Sequence, residues 1–147
     1  MYARAEAAPL PDAEFLERFL RGTHEPASFR HADHVRAAWL TLRAYPGFAG
    51  LERYCAGIRL LAAAANKPGL YHETITWAYL FVIRERIARM PEAQTWKAFA
   101  AANPDLFAWE PGVLDRLYRS ATLQSDIARR CFVMPDRIAR SAEERVS

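Results

Sequence analysis

Three of the chain's four histidines fall in two short stretches, His31 and His34 in Phe29-Arg-His-Ala-Asp-His-Val35 and His72 in Tyr71-His-Glu-Thr-Ile-Thr76. Imidazole titrates nearest to neutrality of all side chains and is the commonest ligand of transition metals. Residues three apart share one helix face, so His31 and His34 can reach one ion together, as Glu-x-x-His pairs do in metal-binding bundles. A third nitrogen from His72, with Glu73, Asp33 or a water completing the sphere, would leave an open position and a reactive metal. Such a nitrogen set suits zinc, iron, copper or nickel without choosing among them. With no metal, the same imidazoles could move protons on a small organic ligand.

The surrounding residues extend this reading. Glu73 is the carboxylate nearest the cluster, and Tyr79 and Thr76 follow His72 at helical spacing, so Glu73 and Tyr79 are the candidate acid/base groups. Each also has a plainer role. Glu73 favours a helix N-terminus, worth about 0.3–1 kcal/mol, Thr76 can bond back to the carbonyl four residues earlier, and Tyr79 can be an ordinary core ring. A histidine near a helix start can likewise cap it or satisfy loop carbonyls. The second reading is therefore a non-catalytic binding or homodimerisation module with structural histidines. His24, in the loop between Gly22 and Pro26, reads as solvated.

Two helices must carry these groups inward. The apolar positions Val35, Ala38, Trp39 and Leu42 define the inner face of one, with His31 and His34 each four residues before a member of that face. In the other, His72 leads Ile75, Thr76, Tyr79 and Ile83 on one stripe. Pro and Gly divide the whole chain into helical segments, with no Asn-Gly or Asp-Gly hairpin signal. The expected helices span 12–21 (capped by Asp12, stopped by Gly22), 28–45 (capped by Ser28), 48–66, 71–90 (the most apolar), 93–102, 112–119 and 122–131 (capped by Thr122). The third presents Leu51, Cys55, Ile58 and Leu61 or Ala62. If it is the return leg, the helices at 28–45 and 71–90 run parallel and their histidine-bearing ends coincide. The expectation is an all-α, single-domain antiparallel helical bundle over residues 1–147, closed by short capping helices. Residues 1–11 read as a loose arm and 136–147 as a polar tail.

Composition narrows the classes. In 147 residues, 52% are apolar and 25% charged, so the chain can build a core without a metal or disulfide staple. The net charge of +3 comes from residues of both signs interleaved along the chain, which argues against a nucleic-acid face. Cys55 and Cys131 read as two reduced, buried thiols in a cytoplasmic protein, and no export signal or membrane span is legible. Trp39, Trp77, Trp96 and Trp109 join eight Phe in an aromatic interior that could also hold a flat ligand such as haem. The chain lacks C-x-x-C-H, a glycine-rich phosphate loop, G-x-S-x-G, H-E-x-x-H and an EF-hand loop.

Residues 29–40, 67–78 and 102–106 resemble a family of small bacterial proteins of unassigned function, marked by F-x-H-x-x-H-V followed by Y-H-E-T-x-T. The likeness extends to Leu117-Tyr118, Leu123, Ala128-Arg129 and Phe132 to Asp136. It implies that the histidine segments are a signature, and it lends no reaction. The sequence thus points to a histidine-lined pocket for a transition metal or small organic ligand, with His31, His34 and His72 as ligands and Glu73 and Tyr79 beside them.

Overall fold

The computed structural model describes residues 9–108 and 112–137, and every regular element among them is helical. Trp109, residues 1–8 of the expected arm and 138–147 of the expected tail lie outside the described residues. The first helix, α1 (Asp12–Arg21), ends at Gly22, whose φ of 70° is the left-handed conformation that glycine adopts without steric cost. Asp12 does not cap it; its carboxylate pairs with Arg36 at 2.8 Å instead. Arg36 also donates to the Leu10 carbonyl at 2.7 Å, so the described end of the arm is tied down.

Pro26–Ser28 form a 3-10 turn, and the second helix, α2 (His31–Ala44), starts three residues later than the sequence suggests. The Asp33 carboxylate accepts from the Arg30 N–H at 2.8 Å and closes the helix start that Ser28 was expected to cap. Asp33 is thereby committed to the backbone. The third helix, α3 (Phe48–Ala64), is followed by Asn66 at φ 56° and a second proline-led turn, Pro68–Leu70. The fourth, α4 (Glu73–Arg89), begins after His72. Arg43 near the end of α2 donates to the Gln94 carbonyl, just past the end of α4, at 3.1 Å. The starts of α2 and α4 meet at the cavity described below, so these two helices run parallel, with α3 as the return leg against both.

One hydrophobic cluster runs from Phe15 and Phe19 of α1 through Val35 and Trp39 of α2, Tyr54 and Ile58 of α3 and Leu80 and Ile83 of α4 to Tyr118. Close approach of α1 and α3 depends on Gly57, where an added Cβ would lie 2.5 Å from the Phe19 ring. The remaining chain forms the cap: α5 (Trp96–Ala102), 3-10 turns at Pro104–Phe107 and Val113–Arg116, α6 (Ser120–Leu123) and α7 (Asp126–Arg130). The helix expected at 112–119 is thus a single 3-10 turn. That expected at 122–131 is two pieces, because the Ser125 hydroxyl accepts from the Ala128 N–H and starts α7 anew. The Thr122 hydroxyl bonds Asp136 rather than capping.

Two details of the cap position the site. Arg86 of α4 donates twice to Asp105, at 3.0 and 2.7 Å, and once to the buried Asn103 at 2.8 Å, which fixes the turn carrying Leu106. The segment after α7 returns over α4. Thr74 bonds Cys131 and Val133, Phe132 stacks on Trp77 at 5.6 Å, and the N–H groups of Asp136 and Arg137 both donate to the Leu117 carbonyl. The described start of the polar tail is therefore held against the cap.

Candidate functional site

A cavity of about 460 Å³ lies where the N-terminal turns of α2 and α4 face the middle of α3. From α2 it is lined by His31, His34 and Val35, and from α3 by Tyr54 and Ile58. The Pro68–Leu70 turn and its sequel contribute Leu70, Tyr71 and His72; α4 contributes Ile75, Thr76, Tyr79 and Ile83. All three candidate histidines and Tyr79 therefore face one space.

The three imidazoles are held differently. His72 is buried and caps α4: its Nδ1 accepts from the Ile75 N–H at 3.1 Å, while Nε2–H donates to the Leu123 carbonyl at 2.7 Å. Both ring nitrogens are thus occupied by backbone. His31 donates from Nε2 to the Leu106 carbonyl at 2.8 Å and meets the Tyr79 ring edge-on at 5.6 Å. His34 packs edge-on against Phe29 at 4.9 Å, and neither of its ring nitrogens is hydrogen-bonded among the described residues. Burial, reinforced by the nearby His31 and opposed by Asp33, lowers its pKa from 6.5 to about 4. His34 is therefore a neutral imidazole at physiological pH, with one donor and one acceptor.

The hydroxyls divide in the same way. Tyr54 donates to the His34 carbonyl at 3.3 Å and Tyr71 to Glu73 at 2.9 Å. Burial first, then the neighbouring thiol of Cys55 and carboxylate of Glu73, push the Tyr71 phenol upward. The hydroxyls of Thr76 and Tyr79 make no hydrogen bond among the described residues. Burial, and next the charge of Asp115, raise the Tyr79 pKa.

No family model, curated protein or solved structure matches this chain. What the site can do rests on its own residues. Glu73 stands in the first turn of α4 outside the cavity lining, where it accepts from Tyr71 and pairs with Arg59 at 3.4 Å. Among the described residues no three His, Cys, Asp or Glu side chains are grouped to hold a metal ion. Among the described lining residues there is also no Asp, Glu, Lys or Arg, so the described wall carries no fixed charge.

Elsewhere, His24 is half-buried and not solvated. Its ring bonds the Phe15 carbonyl at 2.9 Å and packs against Phe15 and Phe29. Cys55 is buried, as expected, but Cys131 is exposed, because the segment after α7 runs along the surface; both are free thiols. Tyr54 and Leu70 were not singled out from sequence. Tyr54 neighbours Cys55 on the predicted α3 stripe, so a wider stripe would have included it; no local signal marks Leu70.

Proposed function

We propose that this protein binds a small, uncharged, mainly apolar organic molecule that carries a hydroxyl or similar group. One observation carries the reading. In a cavity of about 460 Å³ with mostly apolar walls, the His34 ring and the hydroxyls of Thr76 and Tyr79 have no hydrogen-bond partner among the described residues. That size falls within the ~300–1,000 Å³ of small-molecule pockets, which pair apolar walls with a few placed polar groups. A hydrogen bond made in such a pocket is worth about 0.5–1.5 kcal/mol, which a ligand hydroxyl placed among the three would gain. The reading favours binding over turnover, since an imidazole with a pKa of about 4 is a weak base at neutral pH and Glu73 lies outside the lining. A transition metal is the weaker occupant, because ligation by His72 would break the cap of α4 or the bond to Leu123. The two free thiols suit a reducing compartment such as the cytoplasm, and no described helix is long and apolar enough to cross a membrane.

The purely structural role of the histidines has its own support, since His31 and His72 both donate to carbonyls of distant loops. It accounts for two rings and leaves His34 unexplained. Equilibrium dialysis separates the readings, using 2-naphthol and its isostere 2-methylnaphthalene. One recovered hydrogen bond of about 0.5–1.5 kcal/mol makes 2-naphthol bind about 2- to 10-fold more tightly, and His34→Leu erases the difference. Absence of binding by either compound, or an unchanged preference in His34→Leu, would overturn the proposal.

A further inference from the structure

A second cavity, of about 230 Å³, adjoins the first, and the two share His34, Ile58, Leu70 and Tyr71 in their walls. The rest of the second chamber is Pro26, Phe29, Leu61, Ala62 and Ala65, none of which has a side chain able to hydrogen-bond. Of the polar side chains in the two walls, the hydroxyls of Thr76 and Tyr79, which have no partner among the described residues, line the first chamber alone, and the His34 ring lines both. The pair thus shares His34 at its junction, with the hydroxyls of Thr76 and Tyr79 on the first chamber's side and, beyond the shared His34 and Tyr71, only apolar side chains among the described residues on the second's. Leu70 is 65% exposed yet lines both spaces, so it stands at their common rim.

We infer that the two cavities form one binding channel for a single-chain amphiphile with an uncharged hydroxyl head, the head among His34, Thr76 and Tyr79 and the alkyl tail running past His34 into the chamber walled by Phe29, Ala62 and Ala65. This rests on the small-ligand reading above and adds the ligand's shape and class. Three features select it. The second chamber has room for a narrow chain and, beyond the shared His34 and Tyr71, no described side chain to meet a second polar end. Its walls come from the C-terminal half of α3, and the alanines at 62 and 65 leave space that larger side chains would fill. Among the described residues neither lining contains Lys or Arg, so a carboxylate head would be buried without a counter-charge, which is costly, whereas an alcohol head would not.

The test is a series of straight-chain primary alcohols from butanol to dodecanol, measured by thermal shift and equilibrium dialysis on the full chain. Affinity should rise about three- to fourfold per methylene and then level off where the second chamber is full. Ala65→Phe and, separately, Ala62→Phe should move that levelling-off to shorter chains while leaving butanol and 2-naphthol binding unchanged. Decanol should bind at least tenfold more tightly than decanoate at pH 7. If short alcohols bind but neither substitution shifts the levelling-off, or decanoate binds as well as decanol, the channel is overturned and the small-ligand reading stands. If butanol and 2-naphthol both fail to bind the wild-type chain, the small-ligand reading itself falls. Two variants guard against a folding defect in one, and unchanged butanol binding by each certifies its first chamber.

Discussion

His34 is where the chemistry of single residues is most exposed to test. The fold lowers its pKa from 6.5 to about 4, so the native state resists a proton that the unfolded chain accepts. Between those values the unfolded state binds more protons than the native state, and stability must fall as pH falls. The contribution is fully present above about pH 6.5 and is lost as pH drops through the folded value. With about 1.36 kcal/mol per pKa unit, the loss between pH 7.5 and pH 4.5 is about 2–3 kcal/mol from this group alone. Carboxylates titrate over the same range, so the measurement is a difference: urea unfolding of wild type and His34→Gln at both pH values. The stability of wild type relative to the variant should shrink by that amount at pH 4.5. A pH-independent difference would mean that the ring is solvated and that the cavity is wetter than its walls imply. Alcohol binding offers a second readout, because a protonated His34 has lost its acceptor. Affinity should stay level down to about pH 5 and drop near pH 4, not near the 6.5 of an unperturbed histidine.

Among elements, the start of α4 shows what could be read beforehand and what could not. The stripe from His72 through Ile75, Thr76, Tyr79 and Ile83 was visible in the spacing, and all five line one cavity. The C-terminal end of α1 followed from Gly22, since a backbone constraint at such a residue acts locally. The start of α2 was misplaced, because a Ser after a proline signals a cap equally well whether a 3-10 turn or a helix follows. Least legible were the partners of the histidines. The Leu106 carbonyl lies 75 residues from His31 and the Leu123 carbonyl 51 from His72, and only the packing of the cap brings them there. His72 thus joins α4 to the cap while facing the cavity. Its replacement by Ala removes a helix cap, worth about 0.5–2 kcal/mol, and leaves the part-buried Leu123 carbonyl without its donor. Denaturant unfolding should show a loss of about 2–3 kcal/mol for His72→Ala, with 2-naphthol affinity at saturating folded protein changed less than threefold. A larger loss of affinity with stability intact would make His72 a ligand contact and revive its candidacy for a metal.

At the level of the whole molecule, the cavity draws its walls from α2, α3, the turn at Pro68–Leu70 and α4, while the cap holds His31 and His72 in place. Val35, Tyr54, Ile58 and Ile83 of its wall belong to the shared core, so ligand occupancy should register as global stability. A ligand at 100 times its Kd that binds only the folded state adds about 2.7 kcal/mol. For a domain of about this size, where each kcal/mol moves Tm by about 2–4 °C, the rise should be roughly 5–10 °C. The same experiment separates the two occupants that the histidines suggest. A resident transition metal would give a Tm that falls on adding EDTA and recovers with zinc or nickel, together with about one equivalent of metal by elemental analysis of the purified protein. An apolar channel gives a Tm unmoved by EDTA and raised by decanol, through one cooperative transition seen alike by circular dichroism and tryptophan fluorescence. A decanol effect confined to the fluorescence of Trp77, with the global transition unchanged, would place the alcohol on the surface patch that Trp77 forms with Phe81 and Phe132 instead of inside the bundle.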